Sequence, residues 1–137
     1  MVKKLLFGTL AGSVAGSLVS MVIFMGLFGS IGEQWFQENA ACVKQMNEAP
    51  VWAWIFAILS QGFLLTAILL RFGVNTFKSG VINGAWITFL MVLWFSMWTY
   101  STFNAYGLDW LPLDILGNTL AGSVAGGATG WVLGKLK

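Results

Sequence analysis

Four stretches of the chain, 5–28, 51–70, 81–103 and 111–133, are each about 20 residues or longer and hold no charged residue deeper than their ends. A helix needs about 20 mostly apolar residues to cross a hydrocarbon core of about 30 Å. Lipid offers backbone groups no hydrogen bonds, so a spanning segment must satisfy them internally. The expected fold is therefore an all-α integral membrane protein: a four-transmembrane-helix bundle forming a single domain over 1–137, with an outer loop at 29–50. Pro50 and Pro112 stand where first-turn prolines open helices. A membrane β-barrel would show alternating segments of about 10 residues, and the unbroken apolar runs exclude it. Charged residues make up 9% of the 137 and apolar residues 58%, whereas ordinary globular chains are about 25% charged. Such a chain cannot clothe a soluble domain in a polar shell. A disordered chain and a nucleic-acid binder with a basic footprint are excluded on the same ground.

The start, Met-Val-Lys-Lys followed by an apolar run, has the outline of a secretory signal peptide. Its apolar run continues through Val22, Ile23 and Phe24, beyond the usual 7 to 15 residues, so an uncleaved first span is expected. The charges alternate by side. Lys3, Lys4, Arg71, Lys78, Lys135 and Lys137 fall on one side; Glu33, Glu38, Glu48, Asp109 and Asp114 fall on the other with Lys44. The positive-inside rule puts the basic side in the cytoplasm. Both termini are then cytoplasmic, in a bacterial inner membrane, and the acids form a solvated outer rim.

The octapeptide Thr-Leu-Ala-Gly-Ser-Val-Ala-Gly occurs at 9–16 and again at 119–126. The copies lie in spans that run in opposite directions, so a shared packing solution is favoured over a duplicated unit. Gly8, Gly12 and Gly16 form an i, i+4 row, and Asn118, Gly122, Gly126, Gly130 and Gly134 form a longer one. Residues four apart share a helix face. Small-residue faces let two helices approach closely in lipid, where packing drives association. Leu6, Leu10, Val14 and Leu18 bulk out the opposite face of the first span, and Leu116, Leu120 and Val124 that of the fourth. Contact between the two glycine faces is expected, with contact to another subunit as the rival.

Three amides lie within spans: Gln61, Asn83 and Asn118. They are candidates for interhelical hydrogen bonds, to Thr88, Ser96 or Thr99 of the third span or a serine of the first in the case of Gln61, or for the lining of a polar path. The tryptophans and tyrosines Trp35, Trp52, Trp54, Trp98, Trp110, Tyr100 and Tyr106 cluster towards the outer interface, as belts do. The third span adds Trp86, Phe89, Trp94, Phe95 and Phe103, more than anchoring needs. These suit packing, or a bound lipid, quinone or isoprenoid pigment, although no cofactor is required. Met21, Met25, Met91 and Met97 are adaptable packing residues. The outer loop mixes Trp35, Phe36 and Val43 with polar residues, which suits an interfacial helix.

The chain has no His and one Cys, Cys42. No His-based metal site, haem ligation or Ser-His-Asp triad can be assembled from it, and no metal is expected. Nothing pairs Asp109 or Asp114 with a nucleophile, so a catalytic role is not expected. The expected function is that of a small non-catalytic accessory or structural subunit, packing against other membrane subunits or against itself amid membrane lipids. A small oligomeric channel or transporter is the alternative, with Gln61, Asn83 and Asn118 along its path.

Overall fold

A computed structural model describes residues 1–44, 48–104 and 107–136. Tyr106 of the expected aromatic belt and Lys137 of the basic end lie outside the described residues. The described residues hold helices and no strand: α1 (Val2–Met21), a π-helical continuation (Val22–Leu27), α2 (Gly29–Glu38), α3 (Val51–Arg71), α4 (Phe77–Thr102) and α5 (Leu111–Lys135).

The helix ends follow local chemistry. Pro50 caps α3, and Pro112 sits in the first turn of α5, where a missing N–H costs nothing. Helix α3 stops at a Schellman turn. Gly73 takes φ +67°, its N–H donates to the Leu70 carbonyl, and the Val74 N–H donates to the Leu69 carbonyl. Leu69 and Val74 both join the apolar core, with Leu65, Ala125 and Leu133. The Thr76 hydroxyl then accepts from the Ser79 N–H to start α4, so a short turn reverses the chain.

The first apolar stretch runs as expected to Leu27, but its last turn widens. The Phe28 N–H reaches back five residues to the Ile23 carbonyl at 2.9 Å. This sets Ile23 and Phe24 over Gly117 of α5. The segment between the first two long helices contains the short helix α2, whose Trp35 stacks on Trp110 with centroids 5.9 Å apart.

Helix α5 lies in the middle. It packs on α4 along one side and on α1 along another, α1 in turn packs on α3, and α3 and α4 barely touch. Among the described residues, three helical segments are long and apolar enough to cross a membrane: Val2–Leu27, Val51–Arg71 and Phe77–Thr102. Helix α5 is as long, but glycine, serine and threonine dilute its hydropathy. It is nonetheless the helix with the most buried residues, from Leu111 through Leu133.

Candidate functional site

Small residues decide how the long helices meet. Along the α4–α5 seam, backbone lies on backbone. A Cβ added to Gly84 would sit 2.6 Å from the Gly122 carbonyl oxygen and 2.8 Å from Gly126 Cα. One added to Gly126 would strike the Gly80 carbonyl and come within 2.7 Å of Gly84 Cα. One on Gly130 would lie 2.5 Å from the Thr76 carbonyl. Gly122 lies under the Thr88 side chain.

The α1–α5 seam uses a different face of α5. Gly12 faces Thr129 and the Ala125 carbonyl, Gly16 faces Ala125 Cβ at 3.1 Å, and Gly8 faces Thr129, Leu133 and Thr66. The Thr129 hydroxyl donates to the Gly8 carbonyl at 3.2 Å. The two glycine rows therefore do not oppose each other, contrary to expectation. The row of α5 is turned to α4, and Ala121, Ala125 and Thr129 meet the row of α1. These two stripes of α5 differ by one residue step, about 100° around the helix. A helix packed on two sides needs a small face for each neighbour.

Helices α1, α3, α4 and α5 together enclose a cleft of about 270 Å³. Its wall carries Ser13, Ser17 and Ser20 from α1, Gln61 from α3, Thr88 from α4 and Asn118 from α5. Trp54, Ile58, Met21 and Met91 supply apolar wall. The Ser13 hydroxyl donates to the Ile58 carbonyl at 3.1 Å. Gln61, Ser17, Ser20 and Thr88 take no side-chain hydrogen bond among the described residues, although Thr88 is only 4% exposed.

The three amides divide. Gln61 and Asn118 lie on the cleft wall, and Asn83 does not. None bonds to another helix. Asn83 donates to the Ser79 carbonyl at 2.8 Å. Asn118 donates to the carbonyl and to Oδ1 of Asp114, one turn back, at 2.9 and 2.8 Å.

Asp114 departs from the expected solvated rim. It is half-buried in the first turn of α5, where helix-end N–H groups favour a negative charge. It also accepts from the fully buried Ser96 hydroxyl of α4 at 2.8 Å. Glu33, Glu38, Glu48 and Asp109 are exposed.

The sequence reading missed the partner stripe of α4. Gly80, Gly84 and Thr88 recur every four residues, the same signal read in α1 and α5, but two glycines among large aromatics drew no notice. It also missed Thr66 of α3, whose buried hydroxyl has no hydrogen-bond partner. No pattern in the sequence distinguishes that threonine from its neighbours.

Comparison of the chain with protein-family models, with curated proteins and with solved structures finds no match.

Proposed function

We propose that this chain is a small non-catalytic integral membrane protein of four spans, an accessory or structural subunit that packs against other membrane subunits or against a second copy of itself. The observation that carries this reading is the two-sidedness of α4. One face, with Gly80, Gly84, Thr88 and Ser96, is buried. The rest of its circumference presents Trp86, Trp94, Phe95 and Trp98, all at least half exposed. Aromatic side chains carry large contact areas and dominate interfaces. This outward density exceeds what interfacial anchoring uses.

Helix α5 serves as the fourth span because its neighbours, rather than lipid, cover most of its small-residue surface. Charge placement supports an orientation with both termini in the cytoplasm of a bacterium. The C-terminal turn of α5 lies beside the α3–α4 turn through Gly134 and Asn75, and beside the start of α1 through Leu133 and Gly8. Lys3, Lys4, Arg71, Lys78 and Lys135 thus share one end of the bundle. Labelling of single cysteines in a Cys42→Ser background tests this, and external labelling at either terminus would reverse it.

The assembly reading is tested by purification from the native membrane in mild detergent. Stoichiometric membrane partners, or a defined homo-oligomer, are expected. A lone monomer at every detergent concentration would overturn the reading. A second reading, a small oligomeric channel or transporter, is favoured by the placement of Gln61 and Asn118 on the cleft wall. It requires solute flux from reconstituted protein that Gln61→Leu abolishes without unfolding the chain.

A further inference from the structure

We propose that the cleft binds the head of a neutral, membrane-dissolved amphiphile, with the chemistry of a prenyl quinone or a long-chain alcohol, whose tail leaves between α3 and α4. This goes beyond the assembly reading and does not depend on it.

Four observations converge. The first is the unmet hydrogen-bonding capacity of the wall. Thr88 is more than nine-tenths buried, lines the cleft and takes no side-chain hydrogen bond. Gln61, Ser17 and Ser20 bring further donors and acceptors from the facing helices, equally without partners among the described residues. A helical threonine has a local alternative in the carbonyl one turn back, and Thr9, Thr99 and Thr119 all take it. Thr88 does not. The Thr88 oxygen lies over Gly122, another wall residue. Polar groups on buried side chains are satisfied as a rule, and the free space of the cleft offers room for a partner.

The second is charge. Among the described residues no lysine, arginine, aspartate or glutamate lines the cleft, so neither a phosphate head nor a cation finds a counter-charge there. The wall suits carbonyl and hydroxyl groups instead. A carbonyl oxygen accepts from the Thr88 hydroxyl or the Gln61 amide N–H, and a hydroxyl group can also donate to the Gln61 amide oxygen.

The third is the opening. Helices α3 and α4 both contribute wall, Trp54, Ile58 and Gln61 from α3 and Thr88 and Met91 from α4, yet they barely touch each other. With the three apolar segments and α5 across a bilayer, that gap faces lipid and a ligand enters sideways. The fourth is size. A volume of about 270 Å³ lies just below the roughly 300–1,000 Å³ of ordinary ligand pockets. It holds a head group and the first carbons of a chain, and the rest of the tail stays in the bilayer. The two methionines at the wall can adapt to it.

The test uses purified full-length protein in mild detergent, a ten-carbon alcohol carrying an alkyl diazirine as probe, and a decyl-substituted benzoquinone as competitor. Saturable photolabelling of α3 and α4 peptides around Trp54, Gln61 and Met91 is expected, and the quinone should displace it. Thr88→Val keeps the shape over Gly122 and removes the hydroxyl. It should weaken probe binding roughly three- to tenfold, the range of one net hydrogen bond. Gln61→Leu should do the same at an exposed position that folding does not depend on, so it decides the matter if Thr88→Val unfolds. Labelling that never saturates and spreads over all outward faces would overturn the proposal, as would unchanged affinity in both variants. Displacement by glycerol as effective as displacement by the quinone would assign the cleft to a water-soluble solute instead. A disulfide-linked dimer from Gln61→Cys in a Cys42→Ser background would mean that a second copy's helix fills it.

Discussion

Two seams of this bundle use the same residue types to opposite ends. Between α4 and α5, Gly80 and Gly84 meet Gly122, Gly126 and Gly130 largely backbone to backbone, with Phe77 and Val81 of α4 covering Gly127 at the edge of the seam. Between α1 and α3, Gly62 meets the Ser13 side chain and the Thr9 carbonyl, and the Ser13 hydroxyl reaches across to the Ile58 carbonyl. The first seam is closed by dispersion between backbones, many small contacts that fail together when the helices part. The second is bridged by the Ser13 hydroxyl, which can turn. A backbone seam is rigid and leaves no room. A hydroxyl seam tolerates displacement, and the cleft opens beside it.

The comparison predicts a graded response to added carbon. Gly126→Leu should have the largest effect. Its Cβ alone would displace the Gly80 carbonyl, and backbone cannot yield without moving all of α4. The loss should exceed the about 1–3 kcal/mol of ordinary overpacking, and α4 should come away from α5. Leu120→Ile, on an exposed face of the same helix, should unfold thermally like the parent. If the two variants unfold alike in detergent and elute alike on size exclusion, the backbone seam is not what holds α4.

A single methyl on each seam gives a sharper contrast. Gly84→Ala puts its carbon 2.6 Å from a carbonyl oxygen, while the atom nearest the carbon of Gly62→Ala is the Ser13 hydroxyl, which can rotate aside, and the Thr9 carbonyl stands back at 3.1 Å. The melting temperature should fall several degrees further for Gly84→Ala. Equal drops would mean that the hydroxyl seam is as stiff as the backbone seam.

Ser13→Ala removes the bond to Ile58 and leaves the carbonyl in place. Interhelical hydrogen bonds in membranes average about 0.6 kcal/mol, so a small loss is expected by chemical or thermal unfolding. A loss above about 2 kcal/mol would mark Ser13 as part of a coupled network. Thr66→Val should have the least effect, with no loss of stability or a slight gain. It keeps the methyl that packs on Gly8 and removes a buried hydroxyl that has no partner, a group whose burial is unfavourable. A clear destabilisation would show that this hydroxyl is satisfied by a bound water.

Much of the architecture is written in residue patterns. The runs without charge give the long helices, Pro50 and Pro112 mark two starts, and the four-residue spacing of Gly8, Gly12 and Gly16 gives a close face on α1. Other features depend on what meets what. The π-helical turn after Met21 places Ile23 and Phe24 over Gly117, a residue about ninety positions away. Asp114 reads in sequence as a member of an acidic rim, and only the approach of Ser96 from α4 draws it inward. Of the cleft, Gln61 and Asn118 stood out as amides in apolar stretches. Thr88 entered only as one of several hydrogen-bond partners for Gln61, and the two do not bond; that it stands on the cleft wall depends on how α4 meets α5.

Composition and hydrophobic run length by themselves gave long apolar helices with charge at their ends; they also led to four spans, of which three are long and apolar enough to cross a membrane among the described residues, α5 not being one of them. Those properties follow from backbone hydrogen bonding and desolvation, which act residue by residue. Tertiary structure alone decided that α5, diluted with glycine, is the most buried helix, since thinness rather than hydropathy fits a helix between two neighbours. It also decided that the glycine stripe of α5 faces α4 rather than α1. A stripe of small residues states that some backbone comes close. Which backbone it is depends on the stripes of all the other helices, because each face can be spent on one neighbour only.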